Sequence, residues 1–140
     1  VSCNGFSDGL IMLDVFGTAF PFIFSWTGPN GFMATNQDIF NLVAGTYIVT
    51  VTDANGNSTV ETYVVTEPPP LTASISQAVL DLTVNVSGGT PPYSYLWNTG
   101  DTVQVITPFS NGVYSCDVED KAGCIINVVG HKNVKRRGKV

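Results

Sequence analysis

The sequence predicts an all-β protein built from two tandem β-sandwich domains, and the main reason is an internal duplication. Residues 21–26 (PFIFSW) recur as residues 92–97 (PYSYLW), and residues 45–53 (GTYIVTVTD) recur as residues 112–120 (GVYSCDVED). The blocks keep their order and reappear 71 and 67 positions later. Tandem copies of a short unit are typical of repeat proteins. Frequent Gly, Pro, Thr and Val fit short strands joined by tight turns, and no stretch shows a helical period.

Alternation of apolar and polar residues places the strands of each copy. Trp26 and Tyr47, with their counterparts Trp97 and Tyr114, fall on the inward parity and are predicted to form the two cores. A Trp on the strand after the first hairpin and a Gly-x-Tyr at the start of a late strand favour immunoglobulin-like sandwiches. The expected strands lie near residues 11–15, 22–26, 38–42, 47–51 and 58–65, and near residues 82–86, 93–97, 103–109, 114–118 and 125–129.

The run Glu-Pro-Pro-Pro at residues 67–70 marks the domain boundary, because a proline run is stiff and cannot donate to a β-ladder. We therefore expect a first domain at residues 1–67, a second at residues 68–130 and a basic tail at residues 131–140. Because the chain begins with Val, we interpret it as a mature or excised segment of something longer.

Charge is distributed unevenly along the chain. Residues 1–120 hold all eleven acidic residues and no Lys or Arg, whereas five of the six bases lie in the last nine residues. An acidic body should repel nucleic acid, and the tail has no aromatic platform beside its bases. The tail is either a solvated terminus or an electrostatic contact with the acidic body of a neighbour. No apolar run reaches 18 residues, so we expect no insertion into a membrane.

The residues needed for catalysis are not arranged for it. The single histidine, His131, lies in the tail, which excludes a Ser-His-Asp triad and a histidine zinc cluster. Asp117 and Glu119 share an outward parity and are interpreted as a solvated strand face rather than an acid–base pair. The sequence therefore predicts a non-enzymatic protein with no cofactor and no catalytic or metal-binding residue.

Two binding alternatives remain open. Residues 53–57 (DANGN) have the oxygen ligands of a calcium loop, but Asp, Asn and Gly are also what a β-turn requires. The second copy has Lys121 and Ala122 at the matching positions, which favours the turn. The aromatic strands can be a sugar-binding platform, although their shared parity with Trp26 and Trp97 favours a core position.

Taken together, the motifs resemble the SprB-type repeats of large gliding and adhesion proteins on the surface of Bacteroidetes bacteria, and more loosely the immunoglobulin-like domains of the polycystic-kidney-disease type. The matching residues are Cys3-Asn4-Gly5, Ala44-Gly45-Thr46-Tyr47, Asp53-Ala54-Asn55-Gly56, Glu67-Pro68 and residues 88–97 (GGTPPYSYLW). The resemblance covers about residues 3–129. It implies an extracellular surface protein, export by a type IX pathway and a role in adhesion or filament formation, with no catalytic residues.

The cysteines depart from this resemblance. Such repeats often pair a Cys near the start with one after the Asp-x-x-Gly turn, but Asn57 stands at the partner position of Cys3, and Ser74 stands near the position matching Cys3 in the second copy. Each copy thus keeps half of a pair, and a disulfide between Cys3 and Cys124 of adjacent molecules is one possibility. Cys116 matches the inward Val49 and is expected to be a buried thiol.

The positions that differ between the copies give the candidate interface. Apolar residues of the first copy become polar in the second at seven positions that we interpret as outward facing, unless the assigned parity is off by one in some strands. Contiguous exposed apolar residues mark interfaces. These interface residues are Leu10, Met12, Phe16, Ile23, Phe40, Val43 and Ile48, and their counterparts are Asp81, Thr83, Ser87, Ser94, Thr107, Ser110 and Ser115.

The sequence therefore predicts a structural repeat segment of a bacterial surface adhesin or filament, located outside the cell. Its expected partners are copies of itself or neighbouring repeats. The alternative is a β-sandwich module that binds a surface polysaccharide or a host ligand.

Overall fold

The structure is a computed structural model that describes residues 1–133, and this part of the chain is all-β with several small sheets. It contains one short 3-10 turn, Pro29–Gly31, and no α-helix within the described residues. The chain divides into two compact units, Val1–Glu67 and Pro68–Val140. The division falls at the proline run.

The first unit holds two antiparallel sheets. A two-stranded sheet pairs β1 with β4, and a four-stranded sheet has the order β3-β2-β5-β6. The strands are β1 (Gly9–Ile11), β2 (Ile23–Thr27), β3 (Met33–Ala34), β4 (Ile39–Leu42), β5 (Gly45–Thr52) and β6 (Ser58–Val65).

Residues from both sheets form the core of the first unit. Trp26 and Val49 are fully buried on the inner face of the larger sheet, and Ile39 and Leu42 of β4 belong to the same cluster. A buried indole N–H requires an acceptor, and Trp26 Nε1 donates to the carbonyl oxygen of Asn36 at 2.8 Å. The two sheets therefore face each other across one core.

The second unit repeats this plan with three strands in each sheet. One sheet has the order β10-β8-β7 and the other the order β12-β11-β9. The strands are β7 (Thr72–Gln77), β8 (Leu82–Ser87), β9 (Ser94–Trp97), β10 (Val105–Ile106), β11 (Gly112–Glu119) and β12 (Ile125–Lys132).

The polar contacts of the core repeat as well. Trp97 Nε1 donates to the Val103 carbonyl at 2.7 Å, the counterpart of the Trp26 bond. The Tyr47 hydroxyl donates to the carbonyl of Val43, four residues earlier, at 2.9 Å. The Tyr114 hydroxyl donates in the same way to Ser110 at 2.8 Å. The duplicated sequence therefore encodes duplicated contacts as well as a duplicated strand pattern.

The carboxyl-terminal limit of the second unit lies beyond the expected residue 130. Strand β12 includes His131 and Lys132, and Lys132 is only 7% exposed. Its ammonium group donates to the carbonyls of Leu80, at 3.1 Å, and Pro108. A lysine can be buried in this way because its apolar stem packs while its charged end reaches acceptors. The first two residues of the predicted tail thus belong to the fold, and residues 134–140 lie outside the described residues.

Several strands differ from the sequence expectation. The strand expected at residues 11–15 is β1, which ends at Ile11, and the strand expected at residues 103–109 shortens to Val105–Ile106. Strand β7 was not expected, although Ala73 and Ile75 alternate there with exposed Thr and Ser residues. A short strand of small residues has a weak periodic pattern in the sequence. Pairing with β8 therefore decides that these residues form a strand.

Strand β7 is also the main difference between the units. It pairs with β8 along its whole length and packs beside β12. The matching part of the first unit, residues 1–7, forms turns and irregular structure instead. In that unit Gly5 N–H donates to the Glu67 carboxylate at 2.7 Å, and the amino terminus donates to the Thr66 carbonyl at 2.9 Å.

The contact between β7 and β12 should be sensitive to volume at Gly130. A Cβ atom there would lie 2.5 Å from Ile75 Cγ2, which forces one of the two strands to move. We expect Gly130→Ala to lower the free energy of unfolding by about 1–3 kcal/mol, the usual cost of overpacking, measured by urea denaturation. In an Ile75→Ala background the same substitution should cost less, because Ile75 Cγ2 and Cδ1 are removed and only the Cβ atom, at 2.8 Å, remains in the way. An equal cost in both backgrounds would contradict this contact.

Candidate interaction surface

The outer face of the β1–β4 sheet brings together part of the predicted interface. Leu10 pairs directly with Phe40 across the two strands, and the side chains are 55% and 54% exposed. Met12 follows two residues after Leu10 and is also exposed. Side chains opposite each other on one face of an antiparallel pair lie about 5 Å apart, so these residues form one apolar patch.

The outer face of the larger sheet carries Ile23 and Ile48. Ile48 of β5 lies between Thr27 of β2 and Thr62 of β6, and Ile23, 65% exposed, lies opposite Thr52. None of the side chains on this side of the sheet is charged. We call this surface the uncharged face; it consists of Ile23, Ser25, Thr27, Met33, Thr46, Ile48, Thr50, Thr52, Ser58, Val60, Thr62 and Val64.

Sequence comparison of the copies missed three exposed apolar residues of this face, namely Met33, Val60 and Val64. Val60, Thr62 and Val64 are spaced two residues apart along β6 and therefore lie on one face, so the sequence alone could have grouped the two valines. That alternation does not reveal which side of an edge strand is covered, and the pairing of β6 with β5 settles it.

Two members of the predicted interface lie elsewhere. Val43 is half-buried beside the corner at which Tyr47 bonds its carbonyl, so its side chain does not belong to an outer face. Phe16 is 92% exposed but lies outside any strand, in the segment between β1 and β2. The remaining five residues occupy the two outer faces described above.

The equivalent face of the second unit carries two carboxylates among exposed apolar residues, namely Leu96, Val113, Ile125 and Val129. Asp117 and Glu119 of β11 project beside Leu96 and Ser94 of β9. Asp117 accepts a hydrogen bond from Asn127 Nδ2 at 2.7 Å. The two units therefore present chemically different surfaces on the same framework.

The repeated aspartates close turns by accepting backbone hydrogen bonds. Asp53 Oδ1 accepts from the N–H groups of Asn55 and Asn57, both at 2.9 Å. The Asn57 backbone bond is the main reason that the pKa of the Asp53 carboxyl lies below its ordinary value. Within residues 1–133 there is no cluster of three or more His, Cys, Asp or Glu side chains able to hold a metal ion.

Asp120, the counterpart of Asp53 in the second unit, is more buried than Asp53. Its Oδ1 accepts from Ala122 and Cys124 N–H, and its Oδ2 accepts from Thr90 N–H at 2.9 Å, thirty residues earlier in the chain. Burial acts to raise the pKa of the Asp120 carboxyl, but these donors outweigh it, and the pKa lies below its ordinary value. The carboxylate thus joins the turn after β11 to the loop before β9.

The cysteines fall into two classes. Cys116 is a buried free thiol on the inner face of β11, and burial raises its pKa. Cys3 is 5% exposed in the first unit, and the Cys124 N–H of the second unit donates to Asp120 Oδ1. The four predicted core aromatics, Trp26, Tyr47, Trp97 and Tyr114, are all buried.

The Asp120 contacts predict an acid-sensitive second unit. A carboxyl whose pKa is lowered by folding stabilises the fold above the unfolded pKa of about 3.9, and this stabilisation disappears as the pH falls through the lower folded value. Asp120→Asn should lower the melting temperature at pH 7 and flatten its fall between pH 5 and pH 2. Asp53→Asn is the matched control and should cost less, because Asp53 Oδ2 accepts from the exposed Asn57 side chain at 3.2 Å, whereas Asp120 Oδ2 accepts from the Thr90 backbone. Equal losses would contradict a special role for the Thr90 bond.

A Cys3–Cys124 disulfide between adjacent molecules stays a prediction. If chains are linked in this way, non-reducing electrophoresis of the purified protein should show a ladder that collapses to one band with reductant. Cys116→Ser should leave the ladder unchanged, because that thiol is buried. Migration as a single monomer without reductant would remove the intermolecular form.

Comparison with protein families gives a match in the second unit. Residues 81–102 match the model of the SprB repeat family, and no curated protein matches the chain. The matched segment covers β8, the cis Pro91–Pro92 bond and β9 with its buried Trp97. No helix in the described residues is long and apolar enough to cross a membrane. The match supports the resemblance to SprB-type repeats stated above. Repeats of this kind are found in cell-surface proteins.

Proposed function

We propose that the chain is a non-enzymatic structural repeat segment of an extracellular bacterial surface adhesin or filament, working through contacts between subunits or repeats. The SprB repeat at residues 81–102 supports a place in a surface protein. The resemblance stated above adds a Bacteroidetes origin, type IX export and adhesion to the proposal.

We also infer that each unit is an immunoglobulin-like sandwich. Support comes from a buried Trp in each core and from the tyrosine that bonds a carbonyl four residues upstream, Tyr47 to Val43 and Tyr114 to Ser110. Both features are typical of that architecture. Units of about 70 residues bury a modest fraction of their surface, so support from a neighbouring repeat would stabilise them.

The observation that carries the functional proposal is the uncharged face of the first unit. Exposed apolar side chains are common singly, but a contiguous surface without charge favours contact with another protein. The corresponding surface of the second unit carries Asp117 and Glu119, so the lack of charge is not a requirement of the fold. Burying one large aliphatic side chain contributes about 1.5–3 kcal/mol.

Recognition of a polysaccharide is the second candidate. Phe16 and Phe20 are exposed, and Phe16 and Phe22 line a cleft together with Asp53, Asn55 and Asn57. Aromatic faces next to amide and carboxylate groups suit a sugar, which offers both apolar and hydroxyl surfaces.

A charge placed on the uncharged face should prevent self-association. We expect Ile23→Glu to weaken association at least about tenfold, because a carboxylate would have to be desolvated at the contact. Sedimentation equilibrium over a range of concentrations measures this effect. Ser94→Glu is the matched control at the same position of the second unit, and it should leave association unchanged.

Two results would contradict the structural proposal. One is a strict monomer at high concentration for the parent chain. The other is specific retention of a polysaccharide on a glycan array, lost on Phe16→Ala, with no assembly visible by electron microscopy. That second result would establish the binding module instead.

A further inference from the structure

The first unit has an open groove at the position that β7 fills in the second unit. In the second unit β7 lies between β8, with which it pairs, and β12, against which Ile75 packs at Gly130. The matching elements of the first unit are the segment that follows β1 and strand β6. No strand is placed between them within the described residues.

Two clefts extend along this gap. One of about 760 Å³ is lined by residues 13–19 on one side and by Thr59, Glu61 and Tyr63 of β6 on the other. A second, of about 570 Å³, is lined by residues 8–12, by residues 63–66 and by Val1 and Ser2 at the amino terminus. Tyr63 lines both clefts, and we call the two clefts together the strand groove.

The backbone beside the strand groove is already shaped for pairing. Leu13 N–H donates to Asp38 Oδ1 at 2.9 Å, and the Leu13 carbonyl accepts from the Gln37 side chain, so both groups point away from the groove. Val84, the counterpart of Leu13, likewise bonds Gln104 through its N–H at 3.1 Å and its carbonyl at 2.9 Å.

Successive residues of an extended chain point their backbone groups to opposite sides. Met12, Asp14 and Phe16 therefore direct theirs toward the groove, as their counterparts Thr83, Asn85 and Ser87 do toward β7. Within the described residues, no backbone hydrogen bond pairs Met12, Asp14 or Phe16 with a strand. An extended segment placed there would satisfy these groups by strand addition.

The side chains differ from those of the second unit at one place, where Tyr63 fills part of the space that Ile75 of β7 occupies there. Tyr63 stands at the position of Gly130, and its ring packs on Trp26 with centroids 5.9 Å apart. It thus covers the part of the core that Ile75 helps to cover in the second unit. Phe16 and Met12 remain exposed at the side of the groove, which offers apolar contacts to an added strand.

We propose that the strand groove binds an extended basic segment, residues 134–140 of a second copy of this chain. The first unit contains no Lys, Arg or His, and the groove exposes Asp14 and Glu61. Residues 134–140 (VKRRGKV) carry four basic residues and no acidic ones. Opposite charges on the two partners favour encounter and fix which segment enters.

Length and alternation also fit. Strand β7 is six residues long, and the basic segment has seven. In an extended conformation Lys135, Arg137 and Lys139 would share one face, while Val134, Arg136 and Val140 would share the other. One face of the added strand is thereby cationic and the other has apolar ends.

This contact is heterologous, since the groove of one copy receives residues 134–140 of the next, and such contacts generate chains of subunits rather than closed dimers. The inference deepens the proposed function by naming a contact for assembly. It does not depend on the uncharged face, so the two can fail separately.

Charge reversal in the full chain tests the pairing. Asp14→Lys with Glu61→Lys should weaken association at least about tenfold in sedimentation equilibrium at low salt, and so should Lys135→Glu with Arg136→Glu and Arg137→Glu. A chain carrying all five substitutions should associate again, because the signs match once more. Asp117→Lys with Glu119→Lys is the control, with the same charge change on the second unit, and it should not reproduce the loss.

Hydrogen exchange identifies the occupant. Amides of Met12, Asp14 and Phe16 should gain protection as the concentration of the parent chain rises, and lose it in either charge-reversed variant. Failure of the five-fold variant to associate while remaining folded by circular dichroism would overturn the proposal. So would protection that is independent of concentration, which would indicate a segment of the same chain. If Ile23→Glu loses association while both charge-reversed variants associate normally, the groove contact is overturned and the proposed function stands.

Discussion

Each unit depends on a buried tryptophan held between two small sheets. Trp26 and Trp97 are almost fully inaccessible, and each indole N–H is satisfied by one backbone carbonyl from the segment that follows the tryptophan strand. A bulky buried side chain of this type contributes several kcal/mol to a core, and its N–H fixes its orientation. In units of about 70 residues, where little else can be buried, this one contact determines where both sheets must lie.

The turns at the two ends of each long strand are also held by single side chains. Tyr47 and Tyr114 each tie the start of a long strand to the carbonyl four residues before it. Asp53 and Asp120 each close the turn at the other end of that strand. Because backbone groups that are buried without partners are costly, these side chains stabilise loops that have no ladder of their own. None of them needs a ligand to explain its position.

The two copies differ at their edges and surfaces rather than in their cores. The second unit has β7 paired with β8, while the first unit has no strand at the matching place and covers the core there with Tyr63. The first unit has an outer face of Thr, Ser and aliphatic residues, and the second has carboxylates there. Such divergence on a shared framework indicates that the copies have different neighbours, since packing constrains the inner faces of both equally.

The sequence by itself determined the duplication, the all-β class, the inward parity of Trp26, Tyr47, Trp97 and Tyr114, and the outward position of Leu10, Phe40, Ile23 and Ile48, since a period of two fixes which side chains share a face. Only the tertiary structure decided that Val43 is half-buried, that Lys132 belongs to the fold and that β7 has no equivalent in the first unit. Each of these depends on partners distant in the chain. Burial at a strand edge is set by the element that lies beside it, and local alternation carries no information about that element.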